Sequence, residues 1–530
     1  MPRTRAPSRT LLTAATPRAA RPPERGDRTL FERYRTIVDD WDAFQASLAR
    51  PQPATLRVNR LKADPGALRA RLEERGFRLE PYDWYPDLWR VAEEPFSPAL
   101  TLEHWLGWFY LQEAAAALPV LALDPQPGET VLDLSAAPGG KSTQMAERMG
   151  DRGMVVANDP DVHRLAALSH NLQRLGVTSA VITRADGRRF PGGLAFDRVL
   201  VDAPCSAEGN ARRSRRARQG ASRHQRRRLP AVQAALLRRG LALARPGGVV
   251  VYATCTFAPE ENEAVVDQVL REAEGSVVVE PLPHGLPGAG GVTAWEGRRF
   301  LPDVEACRRI YPHHLDSGGM FVARLRKRGP VPWEERGPEP AGADEPAPAW
   351  TEPDPGLREQ VVEWLRREFG LTGSEIDGLH AYGGQGQGIW LARLPRVPGW
   401  TAVRSAGIRL ARAHGATWKP TSFGLMHWAS GASRNVVDLD RPSLEGLLQG
   451  RQIAAPPGAR LLRRGWVVLR YRGQAVGCGF WDGTRLRSAL PHERAGELSS
   501  ILRRESSTSS AVAPAGHPAP GDQGAGDRQA

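Results

Sequence analysis

The sequence contains little cysteine, little lysine and no long apolar run, and each shortage excludes a class of protein. Only four of its 530 residues are cysteine, and no two of them form a Cys-x-x-Cys pair. This argues against a disulfide framework and against a zinc site, so we expect free thiols, a cytoplasmic location and no metal. The longest apolar run, residues 114–123, is broken by Pro119 and is too short to span a bilayer. No membrane partner is expected.

Positive charge is abundant, and arginine carries almost all of it. The formal net charge is +13, yet lysine occurs only at Lys62, Lys141, Lys327 and Lys419. A basic balance of this kind indicates a polyanionic partner. Lys141 is conspicuous in a chain that otherwise uses arginine.

Composition also separates structured from unstructured segments. Residues 1–27 are basic, residues 506–530 are rich in Ser, Ala, Pro and Gly, and eight prolines fall between positions 330 and 355. Segments of these kinds bury too little apolar surface to fold. We therefore predict a disordered tail at each end and a semi-extended linker over residues 328–356.

Residues 106–327 alternate short apolar runs with helical patterns, which predicts a doubly wound α/β domain. Strands are expected at 131–134, 154–158, 180–183, 198–202 and 249–254, and helices at 162–175, at 230–244 and from about positions 141 and 259. Continuous apolar strands joined by helices form a parallel sheet covered on both faces. Ligands of such sheets bind beyond the carboxyl ends of the strands.

Polar residues at three of these strand ends suit a nucleoside-containing ligand. The turn after the first strand consists of Ser135, Ala136, Ala137, Pro138, Gly139, Gly140 and Lys141. Its glycines allow a close backbone approach, and the following helix offers free N–H groups. Asp159 ends the second strand, where an acid typically accepts hydrogen bonds from ribose hydroxyls. Asp186 ends the third strand and would face the adenine side.

Two simpler interpretations of these residues compete with the nucleoside site. Either aspartate alone would suit a helix cap or a turn, but both together after a glycine turn favour a ligand site. The Gly-Lys-Ser triplet also resembles a phosphate loop of an ATPase. That motif requires glycine where this chain has Ser135, and it leaves the cysteines unexplained.

Cys205 and Cys255 each follow one of the later strands, and Asp202 ends the first of these two strands. A free cysteine is commonly a small buried apolar residue, which is sufficient for Cys307 and Cys478. At a strand end beside polar residues, however, a thiolate can add to an electron-poor carbon. We infer that one thiol attacks while the other assists, although spacing alone leaves their roles open.

The motifs VLDLSAAPGGKSTQMA, NDP, RADGRRF, DAPCSAEG and YATCTFAPEENE occur in this order between residues 131 and 263. In sequence and spacing they resemble those of the Nol/Nop/Sun-type RNA (cytosine-5) methyltransferases. TLRVNRLK (55–62) and RIYPHHLDSGGMFVARLRK (309–327) resemble the N-terminal segment and the closing strand of that family. GIRLARAHGATWKPTSFGLMHW (407–428) resembles the bacterial branch that acts on small-subunit ribosomal RNA.

The resemblance implies three folded regions. Residues 106–327 would form a Rossmann-like class I methyltransferase domain, residues 28–105 a small α+β RNA-binding domain similar to an RRM, and residues 357–505 a PUA-like RNA-binding region. The implied substrate is RNA, either 16S rRNA or the small ribosomal subunit. We expect the protein to act as a monomer.

The resemblance also implies roles for the strand-end residues. The cofactor would be S-adenosylmethionine, held by residues 135–141, Asp159, Asp186 and Asp202. Cys255 would be the nucleophile and Cys205 would assist release, with Asp202 and Lys141 as further catalytic residues.

Two alternatives and two departures from the family accompany this prediction. A tRNA (cytosine-5) methyltransferase is disfavoured by the C-terminal resemblance. A non-catalytic RNA-binding ribosome assembly factor is disfavoured by the retained cysteines, since binding alone needs no nucleophile.

Ala207 stands where the family usually has glycine. Residues 212–228 contain nine arginines, which would form a solvated face or, as we favour, a clamp on the RNA backbone.

Overall fold

A computed structural model describes residues 31–220, 222–283, 285–334, 352–384, 388–400, 402–414, 417–457, 459–460 and 462–509. The predicted tail over residues 1–27 and the middle of the predicted linker lie outside these ranges. Within them, no helix has the length and apolar character needed to cross a bilayer.

The first folded region is a small sheet with three helices. Its elements are α1 (Trp41–Ala49), β1 (Thr55–Val58), α2 (Pro65–Glu73), β2 (Arg78–Tyr82), β3 (Tyr85–Glu93), α3 (Leu102–Trp105) and β4 (Phe109–Leu111). The strands are antiparallel in the order β2-β3-β1-β4, which is the order of the β-α-β-β-α-β fold. The fourth strand extends to Leu111, beyond the predicted boundary at residue 105.

The second region forms the large central sheet. Its elements are α4 (Ala114–Leu123), β5 (Thr130–Asp133), α5 (Gly140–Arg148), β6 (Met154–Asn158), α6 (Val162–Leu175), β7 (Ala180–Thr183), β8 (Phe196–Asp202), α7 (Arg215–Arg218), α8 (Arg223–Leu243), β9 (Ala244–Thr254), α9 (Glu263–Glu272), β10 (Val277–Glu280), β11 (Ala289–Gly290), β12 (Ala294–Trp295), β13 (Arg298–Arg299), β14 (Arg308–Ile310), α10 (Pro312–Leu315) and β15 (Met320–Lys327).

Strand order explains where a ligand can bind. The sheet runs β7-β6-β5-β8-β9 with every neighbour parallel, and β15 then adds antiparallel to β9. The direction of chain progression reverses between β5 and β8, which opens a crevice at their carboxyl ends. Buried apolar residues cover both faces of the sheet. The predicted Rossmann-like fold is therefore confirmed.

Two helices begin at positions that differ from those predicted. Helix α8 starts at Arg223, seven residues before the predicted start at Pro230, because Ser222 and Gln225 form a capping box upstream of the proline. Helix α9 starts at Glu263 rather than near Pro259. Residues 259–262 form turns instead, and the Tyr252 hydroxyl holds them by donating to the Glu261 carbonyl at 2.5 Å.

The C-terminal region forms two further sheets. Its elements are α11 (Pro355–Phe369), β16 (His380–Gly384), β17 (Gly388–Ala392), β18 (Val403–Ala406), β19 (Ile408–His414), β20 (Thr417–Pro420), α12 (Ser422–Trp428), β21 (Val436–Leu439), α13 (Arg441–Leu448), β22 (Ala459–Arg460), β23 (Gly465–Tyr471), β24 (Gln474–Trp481), β25 (Leu486–Ser488) and α14 (His492–Ser509). The strand orders are β16-β17-β19-β20 and β22-β21-β23-β24-β25. Helix α14 continues four residues into the segment predicted as a tail.

The C-terminal region packs directly on both preceding regions. Strand β18 adds to the central sheet antiparallel to β7, and Trp400 packs edge-on against Phe190. On another side, the Arg494 guanidinium lies 3.6 Å from the ring centroid of Trp105 in α3. Part of the predicted linker is also ordered, since the Trp333 indole donates to the Arg238 carbonyl at 2.9 Å.

Candidate active site

The two thiols predicted to act together meet at the carboxyl edge of the central sheet. Cys205 lies three residues after β8 and Cys255 directly after β9, and their sulfur atoms are 3.4 Å apart. The loops that carry them are joined by a hydrogen bond between the Ser206 and Thr256 hydroxyls at 2.6 Å. Gly209 N–H also donates to the Cys255 carbonyl at 2.9 Å. The thiols are therefore held by backbone and side-chain contacts on both loops.

Two buried glutamates accept hydrogen bonds that hold these two loops in place. Glu261 accepts from the Ser206 N–H at 3.0 Å and from the Gln233 amide at 2.8 Å. Glu208 accepts from the Tyr34 hydroxyl at 2.8 Å, which ties the N-terminal segment to the Cys205 loop. Burial raises the pKa of both carboxyl groups.

The two thiols have different surroundings. The hydrogen bond to Cys255, together with burial, raises the pKa of Cys205 well above its usual value. Cys255 instead receives an N–H from the Asn210 side-chain amide at an N···S distance of 3.6 Å. The geometry therefore distinguishes the thiols where sequence spacing did not.

Lys141 and Asp202 form an ion pair next to the thiols. The Lys141 ammonium lies 2.7 Å from Asp202 Oδ2. Burial opposes the charge on Lys141, but the nearby Asp202 carboxylate outweighs it and raises the pKa of the lysine. This ion pair joins the end of β8 to the start of α5 and holds the Lys141 ammonium beside the Asp202 carboxylate.

The turn after β5 is shaped mainly by packing within the protein. Gly139 has φ of 108°, a left-handed conformation that favours glycine. A Cβ there would lie 3.0 Å from Leu168 Cδ1, and one at Gly140 would lie 3.0 Å from Tyr110 Cε1. Packing against Leu168 and Tyr110 is thus a second reason for glycine at these positions, beside the close approach of a ligand that the sequence predicts.

Asp159 and Asp186 lie at the predicted strand ends but make different contacts. Asp159 is fully buried, where it accepts from the Ala137 N–H at 3.3 Å and pairs with Arg164 at 3.1 Å. Asp186 is partly exposed and holds Arg188 in a two-point contact, which lowers the pKa of the carboxyl group. Asp159 is thus hydrogen-bonded to the turn after β5 through Ala137. Asp186 instead contacts Arg188, two residues further along the chain.

Asp133 is a site residue that the sequence prediction missed. It ends β5 inside the apolar run VLDL, and its carboxylate accepts from the Ser142 hydroxyl at 2.7 Å. This contact joins the strand to α5 across the glycine turn. Burial raises the pKa of Asp133 to about 7. The acidic residue within the apolar run VLDL was the feature of the sequence that could have identified Asp133.

A second cluster has metal-binding side-chain types but is held by hydrogen bonds. The Nε2 atoms of His313 and His314 lie 3.0 Å and 2.8 Å from the Asp39 carboxylate. The Tyr311 N–H donates to His314 Nδ1 at 3.2 Å, so Nε2 of that ring carries the proton and lacks a lone pair for a metal. The cluster joins the segment before α1 to α10.

Three family models match the chain. The model of 16S rRNA methyltransferase RsmB/F matches residues 120–326, that of the N-terminal domain of 16S rRNA methyltransferase RsmF matches residues 28–114, and that of the methyltransferase RsmF PUA domain matches residues 434–495. Ribosomal RNA small subunit methyltransferase F from Aeromonas hydrophila is 35% identical over 466 residues, which cover 85% of this chain and 93% of that protein. The chain belongs to the RsmF family.

Other relatives of this RsmF-family chain agree with the assignment. The protein of the same name from Vibrio vulnificus is 32% identical over 88% of this chain and 96% of its own length. A solved structure of a methyltransferase homologue from Pyrococcus horikoshii is 33% identical, with a TM-score of 0.51 over 57% of this chain and 95% of that chain. The predicted family, fold class and methyltransferase activity are therefore confirmed.

Membership in this family implies S-adenosylmethionine as cofactor, and the residues present suit it. Its ribose hydroxyls and its two cationic groups need acceptors. Asp159, Asp186 and Asp202 place carboxylates at three strand ends along one edge of the sheet. Acidic residues at these positions are what a nucleoside-binding α/β sheet supplies.

The two departures from the family also have structural explanations. Ala207 has φ of 60°, a left-handed conformation that glycine adopts freely and that costs another residue about 1–2 kcal/mol. In the arginine run, Arg212 is buried, and its guanidinium pairs with Asp316 at 2.8 Å and donates to the Ser317 carbonyl. Arg212 therefore does not belong to a solvated face. Arg213 pairs with Glu113. Arg213 is nevertheless exposed, so it and the other exposed arginines of the run remain candidates for the predicted RNA clamp.

The high pKa of Asp133 leads to a prediction about stability. The folded-state pKa of about 7 lies above the ordinary value of about 3.9, so the folded protein binds this proton more tightly than the unfolded chain. The contribution of this proton to the free energy of unfolding is complete below about pH 4 and is lost as the pH rises through 7.

Asp133→Asn keeps an acceptor for Ser142 but cannot ionise. Relative to the wild type, we expect the variant to gain roughly 2–4 kcal/mol of unfolding free energy between pH 4 and pH 8. Urea denaturation at several pH values measures this difference. A difference that does not change with pH would show that Asp133 is not the titrating group.

Proposed function

We propose that this protein methylates carbon 5 of a cytosine in 16S rRNA through a covalent adduct with Cys255. The observation that carries this proposal is the pair of thiols 3.4 Å apart beside the Lys141–Asp202 ion pair. The similar proteins named ribosomal RNA small subunit methyltransferase F support ribosomal RNA as the substrate.

Attack by Cys255 makes the target carbon reactive. Carbon 5 of cytosine is a poor nucleophile until a thiolate adds to carbon 6 and increases the electron density on carbon 5. The Asn210 amide, 3.6 Å from Cys255 Sγ, stabilises the attacking thiolate. Asp202 is placed to stabilise the protonated ring nitrogen 3 during the addition, and Lys141 fixes the orientation of its carboxylate. S-adenosylmethionine supplies the electrophilic methyl group.

Release requires a second group. After methylation, the proton on carbon 5 passes to water, its bonding electrons re-form the double bond between carbons 5 and 6, and the carbon–sulfur bond breaks with its electron pair returning to the Cys255 sulfur. Cys205 adjoins that sulfur and assists this step. Its raised pKa keeps it protonated during the attack.

The substrate base has to leave its stack to reach the thiols. Enzymes that modify a base act on an unpaired or extruded nucleotide. We assign RNA binding to residues 28–105 and 357–505, as the two flanking domain matches support. A monomer in the cytoplasm fits a ribosomal RNA substrate and four free thiols.

Asp159 provides a test of the cofactor site. Asp159→Ala should weaken S-adenosylmethionine binding by roughly 1.5–3 kcal/mol, because a charge-assisted hydrogen bond to the ribose is lost. Isothermal titration calorimetry measures the affinity. Asp161→Ala removes the same charge two residues away, at the exposed cap of α6, and should leave the affinity unchanged. Equal affinities for both variants would exclude Asp159 from the site.

The thiol assignment makes the two cysteine variants fail in different ways. With S-adenosylmethionine and 16S rRNA present, Cys255→Ala should form no covalent protein–RNA species, because the bond-forming sulfur is absent. Cys205→Ala should accumulate a methylated adduct, because attack and transfer proceed but elimination does not. Denaturing electrophoresis of labelled RNA detects the adduct.

Cys478→Ala serves as the control, since this buried thiol lies in the C-terminal region, and it should behave as the wild type. An adduct in Cys255→Ala and none in Cys205→Ala would reverse the roles. Methylation that persists in both variants without an adduct would refute covalent catalysis by this pair.

A further inference from the structure

A basic groove lies between the central sheet and the C-terminal region, outside the thiol site. It has a volume of about 550 Å³. One wall is α6, and the other is formed by residues of β18, β19, β20 and α14. Five cationic side chains line it and no acidic side chain of the described residues does; they are Arg404, Arg409, Arg412, Lys419 and Arg494. We refer to these five residues and the space between them as the basic groove.

Two of the cations face each other across a strand pair. Arg412 on β19 and Lys419 on β20 are direct cross-strand partners, and like charges directly opposite destabilise a sheet. Among the described residues, no acidic side chain forms an ion pair with either of them. The fold therefore maintains an unfavourable pair that a bound anion would stabilise.

The Arg409 side chain is half-buried, and one of its donors has no acceptor. Its guanidinium lies 4.5 Å from the ring centroid of Trp390, and its Nε is buried without a hydrogen-bond acceptor. Burial and the charge of Arg412 lower the pKa of Arg409. A buried donor without an acceptor is unfavourable, and an anionic ligand in the groove would satisfy it.

The groove reaches the edge of the sheet where the cofactor site lies. Val162, the first residue of α6, lines the groove and is 52% exposed. It follows Asp159 by three residues. A chain bound along the groove would therefore pass close to the carboxyl ends of the parallel strands.

At Lys419 the groove adjoins a second cavity, which is lined by aromatic and acidic side chains. This cavity has a volume of about 850 Å³; Trp418, Trp466 and Phe480 line it together with Glu359, Glu363 and Glu368 of α11. The Lys419 ammonium lies 4.9 Å from the ring centroid of Trp466. Cations that follow a backbone beside rings that stack on bases are the usual surface for a single-stranded nucleic acid.

We propose that the basic groove binds the phosphate backbone of an unpaired RNA segment through Arg409, Arg412 and Lys419. This inference rests on the proposed function, because it identifies how the RNA substrate is held next to the methyltransferase sheet. Single-stranded RNA supplies the phosphates that the groove needs and bases that can stack on the rings beside Lys419.

Salt dependence gives a direct test. Arg409→Gln, Arg412→Gln and Lys419→Gln combined should weaken binding of single-stranded 16S rRNA fragments about tenfold or more. Each phosphate contact on a single strand contributes about 0.7 to the slope of log affinity against log salt concentration, so the slope should fall by about 2. KM for RNA should rise, while kcat and the affinity for S-adenosylmethionine should not change.

A matched control removes three charges elsewhere. Arg152, Arg299 and Arg328 are exposed, lie outside both cavities and belong to neither region assigned to RNA binding. Their combined change to Gln should leave the salt slope close to that of the wild type. The groove variant loses the contacts of Arg409 with Trp390 and of Lys419 with Trp466 but also the like-charge pair, so its melting temperature is measured first. If it does not fold, Arg412→Gln alone should lower the slope by about 0.7.

The outcomes separate this proposal from the proposed function. An unchanged salt slope in the groove variant, with wild-type methylation intact, would overturn the groove assignment alone. Normal affinity for RNA but lost affinity for assembled subunits would identify a protein partner and would also overturn it. If the wild type binds RNA with the expected slope but transfers no methyl group, the proposed function fails while the groove stands.

Discussion

The meeting of the two thiols depends on β8 and β9 being hydrogen-bonded parallel neighbours. Parallel neighbours deliver their carboxyl ends to the same edge of a sheet, so residues fifty positions apart in sequence come within 3.4 Å of each other. The Ser206–Thr256 hydrogen bond and the buried Glu261 then fix the two loops in register. A slip of either strand would separate the nucleophile from the group that assists release.

The other parts of the chain are organised around this edge. The switch of strand order between β5 and β8 places Lys141 beside Asp202, and the buried Asp133 links β5 to α5 across the turn. The N-terminal segment contributes Tyr34, which binds Glu208 under the Cys205 loop. Because β18 extends the central sheet, the C-terminal region is part of the catalytic body rather than a separate module on a linker.

Sequence reasoning located the elements that have strong local patterns. The strands at 154–158 and 180–183 and the helix at 162–175 match the structure residue for residue, because their apolar periodicity is unbroken and they end at Asp159, Arg184 and Gly176. It failed at the start of α8, where a capping box upstream of Pro230 extends the helix. Pro230 led to a predicted helix start at that residue, but the capping box of Ser222 and Gln225 places the start at Arg223.

Long-range contacts were the other source of error. Nothing in the local sequence shows that Arg212 is buried against Asp316 while other arginines of the same run are exposed. The addition of β18 to the central sheet and the like-charge pair of Arg412 and Lys419 likewise depend on how distant segments pack. The motifs identified the thiols, but only the fold distinguishes their surroundings.

The central claim is that this chain places a methyl group on carbon 5 of a ribosomal cytosine. Bisulfite sequencing of 16S rRNA from cells with and without the gene tests it most directly, since 5-methylcytosine resists conversion. We predict at least one cytosine that is protected only when the gene is present and that loses protection when Cys255 is replaced by alanine. Identical conversion of every 16S rRNA cytosine in the presence and absence of the gene would contradict the account.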